Sequence, residues 1–133
     1  MAQEQLGSKP SIGFKTINAR AETVATKPAF RDALKKRRCL IPADGFYEWR
    51  KDGKLKTPFC FTMADEEIFA FAGIRESWRN PEGQAIGTCS IITTTPNSLL
   101  ADVHDRMPVI LPGEAYDRGL IQASRSQMIS ATC

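Results

Sequence analysis

Apolar and polar positions change period several times along the 133-residue chain, and each change marks a predicted element. Phe14, Thr16 and Asn18 alternate with Lys15, Ile17 and Ala19, the two-residue period of a short strand with Asn18 near its end. Beyond Thr26-Lys27 the period lengthens. Pro28 suits a first helical turn, Phe30, Ala33 and Leu34 form one apolar stripe, and Lys35-Lys36-Arg37-Arg38 are the cations of a last turn, so a helix stops by Arg38. Cys39 to Pro42 and Phe46 to Arg50 read as strands, Lys51-Asp52-Gly53-Lys54 carries the Asp-Gly pair of a tight hairpin, and Pro58 to Met63 is the return strand. Ile68 to Ile74 and Ile86 to Thr94 flank the turn Asn80-Pro81-Glu82-Gly83 and form a second antiparallel pair. Pro96 to Val103 suits a short helix, Met107 to Leu111 a strand, and Pro112-Gly113-Glu114 opens a last, weak helix. No repeat or linker divides the series. Hairpins with helices between them predict an α+β fold, a mostly antiparallel β core with a few short flanking helices.

A chain of this length fits one domain. Leu, Ile, Val and Phe supply only about 22% of it, close to the level below which disorder becomes common. They concentrate between Phe30 and Leu111, whereas the first ten and last twelve residues are mostly polar or small, as fraying ends are. A net charge of +3 and a pI near 8.8 are too mild to establish a nucleic-acid partner by themselves. The four cysteines, at 39, 60, 89 and 133, form no C-x-x-C pair and no short Cys/His spacing, so neither a metal nor another cofactor is expected. Free thiols in a reducing, intracellular setting are the default. The polar first residues do not read as a signal peptide, and no apolar run approaches a membrane span.

Candidate chemistry lies in three segments: Asn18-Ala19-Arg20-Ala21-Glu22-Thr23, Ala43-Asp44-Gly45-Phe46-Tyr47-Glu48-Trp49 and His104-Asp105-Arg106-Met107-Pro108. Together they hold an amide, a carboxylate, an imidazole and two guanidiniums, the parts of an acid–base site beside an anion-binding surface. Glu48, between Tyr47 and Trp49 with Phe46 on its own strand face, is either a partly desolvated acid–base group or an edge-strand carboxylate paired with Arg50 or Lys56. His104, the sole histidine, is either the group that changes charge near neutral pH or a structural residue at the end of the preceding helix. Arg20 and Arg106 each stand two residues from Asn18 or His104, a spacing that returns a strand side chain to the same face. Both suit a phosphate, and both equally suit Glu22 and Asp105. Cys39 and Cys60 lie inside apolar strands and read as small buried hydrophobes, while no basic neighbour in sequence activates Cys89.

In this order and at these separations, N-A-R-x-E-T, D-G-[FW]-[YF]-E-W and H-D-R-x-P resemble the SOS response-associated peptidase family of abasic-site processing proteins. The resemblance covers roughly Pro10 to Leu120. It implies a mostly antiparallel β core, a positively charged groove for single-stranded DNA carrying abasic sites, and a bacterial, cytoplasmic protein that works at the nucleoid. It also implies a covalent thiazolidine link between an N-terminal cysteine, exposed by self-removal of the initiator methionine, and the ring-opened abasic sugar. An α-amine with a pKa of about 8 is partly neutral and nucleophilic in the cell, which makes that attack reasonable.

Carried over by motif, Asn18 holds the terminal amine, Glu48 shuttles protons, and His104 assists sugar ring opening. By the same resemblance Arg20 and Arg106 contact phosphates, and Trp49 supports the DNA pocket. The chain departs from the family pattern by starting Met1-Ala2-Gln3 where Met-Cys-Gly-Arg is usual. Residues 1–9 and 121–133 are atypical as well, so residues 1–133 are expected to form a single incomplete domain, without the nucleophile and inclined to self-associate through uncovered strand edges. The alternative is a non-catalytic module that binds single-stranded DNA. A peptidase acting on other proteins lacks a Ser-His-Asp order or a Cys-His pair to support it.

Overall fold

The structure, a computed structural model, describes residues 17–120. The first half of the predicted strand, Phe14 to Thr16, and both atypical ends lie outside the described residues. Within them the order is β1 (Asn18–Arg20), α1 (Arg31–Lys36), β2 (Arg38–Ala43), β3 (Phe46–Asp52), β4 (Leu55–Phe61), β5 (Phe69–Arg79) and β6 (Ala85–Thr94). There follow α2 (Ser98–Ala101), β7 (Met107–Pro108), β8 (Ile110–Leu111), a 3-10 turn at Gly113–Ala115 and α3 (Tyr116–Leu120). The fold is α+β, as expected. One sheet runs β1-β6-β5-β2, with β7 on β6 and β8 on β5, and β3-β4 form a separate hairpin. Every pairing is antiparallel except β1 with β6, a parallel contact that the sequence did not announce.

Strand alternation gives the main sheet two different faces. Ala72 and Ile74 of β5, Ala19 of β1 and Ile92 of β6 meet Ala33 and Leu34 of α1 on one side. Phe69 and Phe71 of β5, Ile41 of β2 and Ile91 of β6 meet Phe46 and Phe61 of the hairpin on the other, with Leu100 of α2. Thin as the apolar supply is, it is divided between these two layers. Phe46 holds the hairpin down, its ring 5.4 Å from that of Phe61 and 5.6 Å from that of Phe71.

The β5–β6 ladder runs from Arg79 opposite Ala85 to Gly73 opposite Ile91, and beyond Gly73 the strands part. The segment 107–111 enters the gap. Met107 and Pro108 pair with Thr94 and Thr93, and Ile110 and Leu111 pair with Phe71 and Ala70. Val109 changes partner between them: its N–H donates to the Ile92 carbonyl at 2.8 Å and its carbonyl accepts from the Ala72 N–H at 2.9 Å. What the sequence shows as one strand is therefore a wedge of two short ladders.

Local chemistry explains the shifted boundaries. Residues 23–30 make successive turns, with the Lys27 N–H on the Thr23 carbonyl and the Arg31 N–H on the Lys27 carbonyl, so the helix begins at Arg31 and not at Pro28. The hairpin closes through Gly53-Lys54, with Asp52 opposite Leu55, so β4 begins earlier than Pro58. Positive φ at Gly53 and not at Lys54 marks a II′-type turn. Pro58 is tolerated because β4 pairs on one side only. Cys60 is exposed on the outer face of that hairpin, which corrects its reading as a buried hydrophobe: β4 has one apolar face, not two. Arg38, at the start of β2 and opposite Ile74, is 6% exposed, and none of its three guanidinium nitrogens meets an acceptor among the described residues.

Candidate active site

Glu48 reaches the site because of the two-residue period of β3. Phe46, which packs on the main sheet, fixes the inward parity, so Glu48 and Arg50 face the same way and Tyr47 and Trp49 face out. The Glu48 side chain keeps 23% exposure, and the Nε2 of His104 lies 3.9 Å from its Oε2. That distance exceeds a hydrogen bond, so the two groups face each other across a gap.

His104 follows α2, whose start is capped by the Asn97 side-chain oxygen accepting from the Leu100 N–H at 2.9 Å. Its own N–H donates to the Leu100 carbonyl at 2.9 Å. On the ring's other edge, Nδ1 lies 3.2 Å from the Arg106 backbone nitrogen, 3.1 Å from the Arg106 carbonyl oxygen and 3.4 Å from an Asp105 carboxylate oxygen. An Nε2–H imidazole accepts the Arg106 N–H and presents its proton to Glu48. The other tautomer donates to the Arg106 carbonyl and presents a lone pair.

Asn18 and Arg20 stand opposite Ile91 and Thr93 on the parallel β1–β6 ladder. Ala19 between them is fully buried on the α1 side, and Ile91 packs with the hairpin-side cluster, so Asn18 and Arg20 occupy the sheet face that carries the hairpin. Both are exposed.

Arg106 takes the second of its two sequence readings, pairing with Glu22. Its Nη1 and Nη2 donate to the two Glu22 carboxylate oxygens at 3.0 and 2.9 Å, and Nη2 also donates to the Thr93 carbonyl at 2.8 Å and hydroxyl at 3.1 Å. The Arg106 hydrogen bond, ahead of the charges of Arg106 and Arg20, holds the Glu22 carboxyl below its usual range. Trp49, in contrast, stands on the opposite face of β3 from Glu48, its ring centroid 6.4 Å from that of Tyr47, and both rings are exposed. The structure thus brings Glu48 and His104 together, sets Asn18 and Arg20 on the same side of the sheet, ties Arg106 to Glu22, and turns Trp49 outward. Sequence reasoning missed Thr93 as an Arg106 partner and Arg75 opposite Cys89, since neither cross-strand neighbour leaves a local signal. Among the described residues no cluster of His, Cys, Asp and Glu could hold a metal ion, and no helix is long and apolar enough to cross a membrane.

An α+β domain with an acid–imidazole pair where its sheet splays open is the class that fold and site define. Residues 3–132 match the family described as SOS response associated peptidase (SRAP), and the chain belongs to it. The abasic site processing protein YoqW of Bacillus subtilis is 56% identical over 104 residues, covering 77% of this chain and 46% of that protein. The abasic site processing protein HMCES of Gallus gallus is 34% identical over 128 residues, covering 80% and 38%. A crystal structure of a Bacteroides thetaiotaomicron protein superimposes with a TM-score of 0.84 at 39% identity, over 89% of this chain and 53% of that one. The chain spans about half the length of YoqW and less of HMCES.

Proposed function

We propose that this chain carries the acid–base half of an abasic-site processing site that acts on single-stranded DNA. The observation that carries the reading is the 3.9 Å approach of His104 to Glu48 from elements far apart in sequence, on the sheet face that also presents Asn18 and Arg20. The names of its relatives, abasic site processing proteins, support the substrate class. In this reading a terminal α-amine, held by the Asn18 amide, adds to the aldehyde carbon of the ring-opened sugar. Glu48 protonates the departing carbinolamine hydroxyl, water leaves, and the iminium that remains returns its N–H proton to the Glu48 carboxylate to give the imine. A thiol on the same residue would then add to the imine carbon and close a thiazolidine. His104 moves the proton that opens the sugar ring. Exposed Arg20 meets a phosphate, and Arg106 has an Nη1 hydrogen left for another. Trp49 serves as a stacking surface for a neighbouring base.

The test is incubation with abasic single-stranded DNA, with and without borohydride, followed by denaturing electrophoresis. A band retained after borohydride is expected, and Glu48→Gln should slow its appearance by about 10² to 10⁴-fold while DNA binding persists. Equal rates for Glu48→Gln and wild type would refute the role of Glu48. The exposed Tyr47–Trp49 pair favours a second reading, a binding module without chemistry. Salt-sensitive retention with no band under either condition would select it.

A further inference from the structure

The turn that carries His104 has little regular structure to hold it. Between the end of α2 and the start of β7, five residues pass without a ladder, and two tie points position them. The first is the Leu100 carbonyl, which accepts from the N–H groups of both Val103 and His104. The second is the side chain of Arg106, pinned by both oxygens of Glu22 and by the carbonyl and hydroxyl of Thr93. Arg106 is also the residue whose backbone N–H and carbonyl address the inner edge of the imidazole at 3.2 and 3.1 Å. Whatever holds Arg106 therefore holds the ring.

We infer that Glu22 is a positioning residue for the acid–base pair: through its bidentate clasp on Arg106 it sets the backbone that orients His104 toward Glu48. The inference rests on the reading of Glu48 and His104 as the reacting pair. Two parallel N–H···O bonds fix a guanidinium in angle as well as distance, which a single contact cannot do. The Arg106 side chain is 17% exposed and that of Glu22 47%, so one side of the clasp is packed against β6 while the other meets solvent. Its span is also apt. Glu22 leaves the turn directly after β1, so the clasp joins the segment bearing Asn18 and Arg20 to the segment bearing His104, 84 positions away. Register between amine holder and imidazole then rests on this ion pair and the Thr93 contacts together with the ladders that β1 and β7 make on β6.

The sole histidine gives the test a single, resolved probe. In ring-labelled protein without DNA, nitrogen NMR at neutral pH reads the tautomer and hydrogen bonding of His104 directly. Wild type should show ring nitrogens displaced from the fast-averaged values of a free imidazole. Glu22→Ala should move both toward those values, and Glu22→Gln, which keeps one acceptor oxygen and the side-chain volume, should move them part of the way. Should Glu22→Ala fail to fold, Glu22→Gln alone carries the comparison. A variant that melts at a lower temperature with unmoved ring signals overturns the inference, since it would make the clasp structural only. Failure to link abasic DNA would sink the proposed function and leave these signals unchanged, so the two can fail separately.

Discussion

Replacing Arg38 by methionine should make the protein more stable. The guanidinium sits at the head of β2 on the α1 side of the sheet, 6% exposed, with Nε, Nη1 and Nη2 all out of contact with any acceptor among the described residues. Burial lowers its pKa, yet a guanidinium stays charged at neutral pH. An ion withdrawn from water costs several kcal/mol even after local relaxation, and among the described residues no partner offsets it. Methionine spans a similar length with no charge and fits irregular apolar gaps. By analogy with other buried ions replaced by hydrophobes, Arg38→Met should gain about 1–4 kcal/mol. In a domain of this size each kcal/mol moves the thermal midpoint by roughly 3–6 °C, within reach of calorimetry or a urea melt. Arg38→Lys keeps the charge and should gain nothing. Were Arg38→Met instead to lose about 3–5 kcal/mol, the guanidinium would be pairing with a carboxylate or carbonyl, and the reasoning would fail.

A Cβ at Gly73 would stand 2.7 Å from Ile41 Cδ1 and 3.0 Å from Cys39 Sγ, so Gly73→Ala should cost about 1–3 kcal/mol; adding Ile41→Val, which removes Cδ1, should recover part of that in a double-mutant cycle. The depressed pKa of Glu22 makes its ion pair stabilising above the ordinary carboxylate range, and that contribution fades as pH falls below the usual 4.5 and through the lower folded value. The stability gap between wild type and Glu22→Gln should therefore narrow in acid urea melts, from at most about 1 kcal/mol for so exposed a carboxylate, and a gap that widened would contradict the pairing. Trp49→Ala should weaken retention of single-stranded DNA by about 1–3 kcal/mol in a binding titration and leave the linkage rate at saturating DNA unchanged; a lost rate would place the indole at the chemistry.

Much of the fold was legible because its signals are local. The Asp52-Gly53 pair, the alternation of β3 and the Asn80 to Gly83 turn each specify geometry within a few residues, and the structure has a hairpin at each place. Parity was legible as well. Since Phe46 must face the core, the two-residue period puts Glu48 on its face, whereas the outward turn of Trp49, expected to support the DNA pocket, was not read. Partnerships between distant segments were not legible. Nothing near Asn18 announces a parallel partner on β6, and nothing near Val109 shows that it will bridge two strands. For Arg106 the sequence offered a phosphate or a carboxylate with equal force, and only the register that sets Thr93 beside Pro108 and Arg20 brings Glu22 within reach.

The splay between β5 and β6 explains why the polar groups gather where they do. A continuous sheet would satisfy the backbone of both strands up to Thr94 and leave the 107–111 segment to find another partner. Parting beyond Gly73 instead leaves β5 and β6 each with an edge, and the segment closes both at once. Its N-terminal end is then fixed at Met107, beside Thr94, which fixes the turn just before it. That turn holds His104 and Arg106, and it stands on the sheet face where Phe46 anchors the hairpin bearing Glu48. The backbone groups of the wedge are satisfied by strand neighbours, which leaves the side chains before it free to address one another. On this account the approach of His104 to Glu48 is a product of sheet topology more than of local sequence. Its geometry should tolerate changes in the outer hairpin face better than any change that shifts the register of Val109.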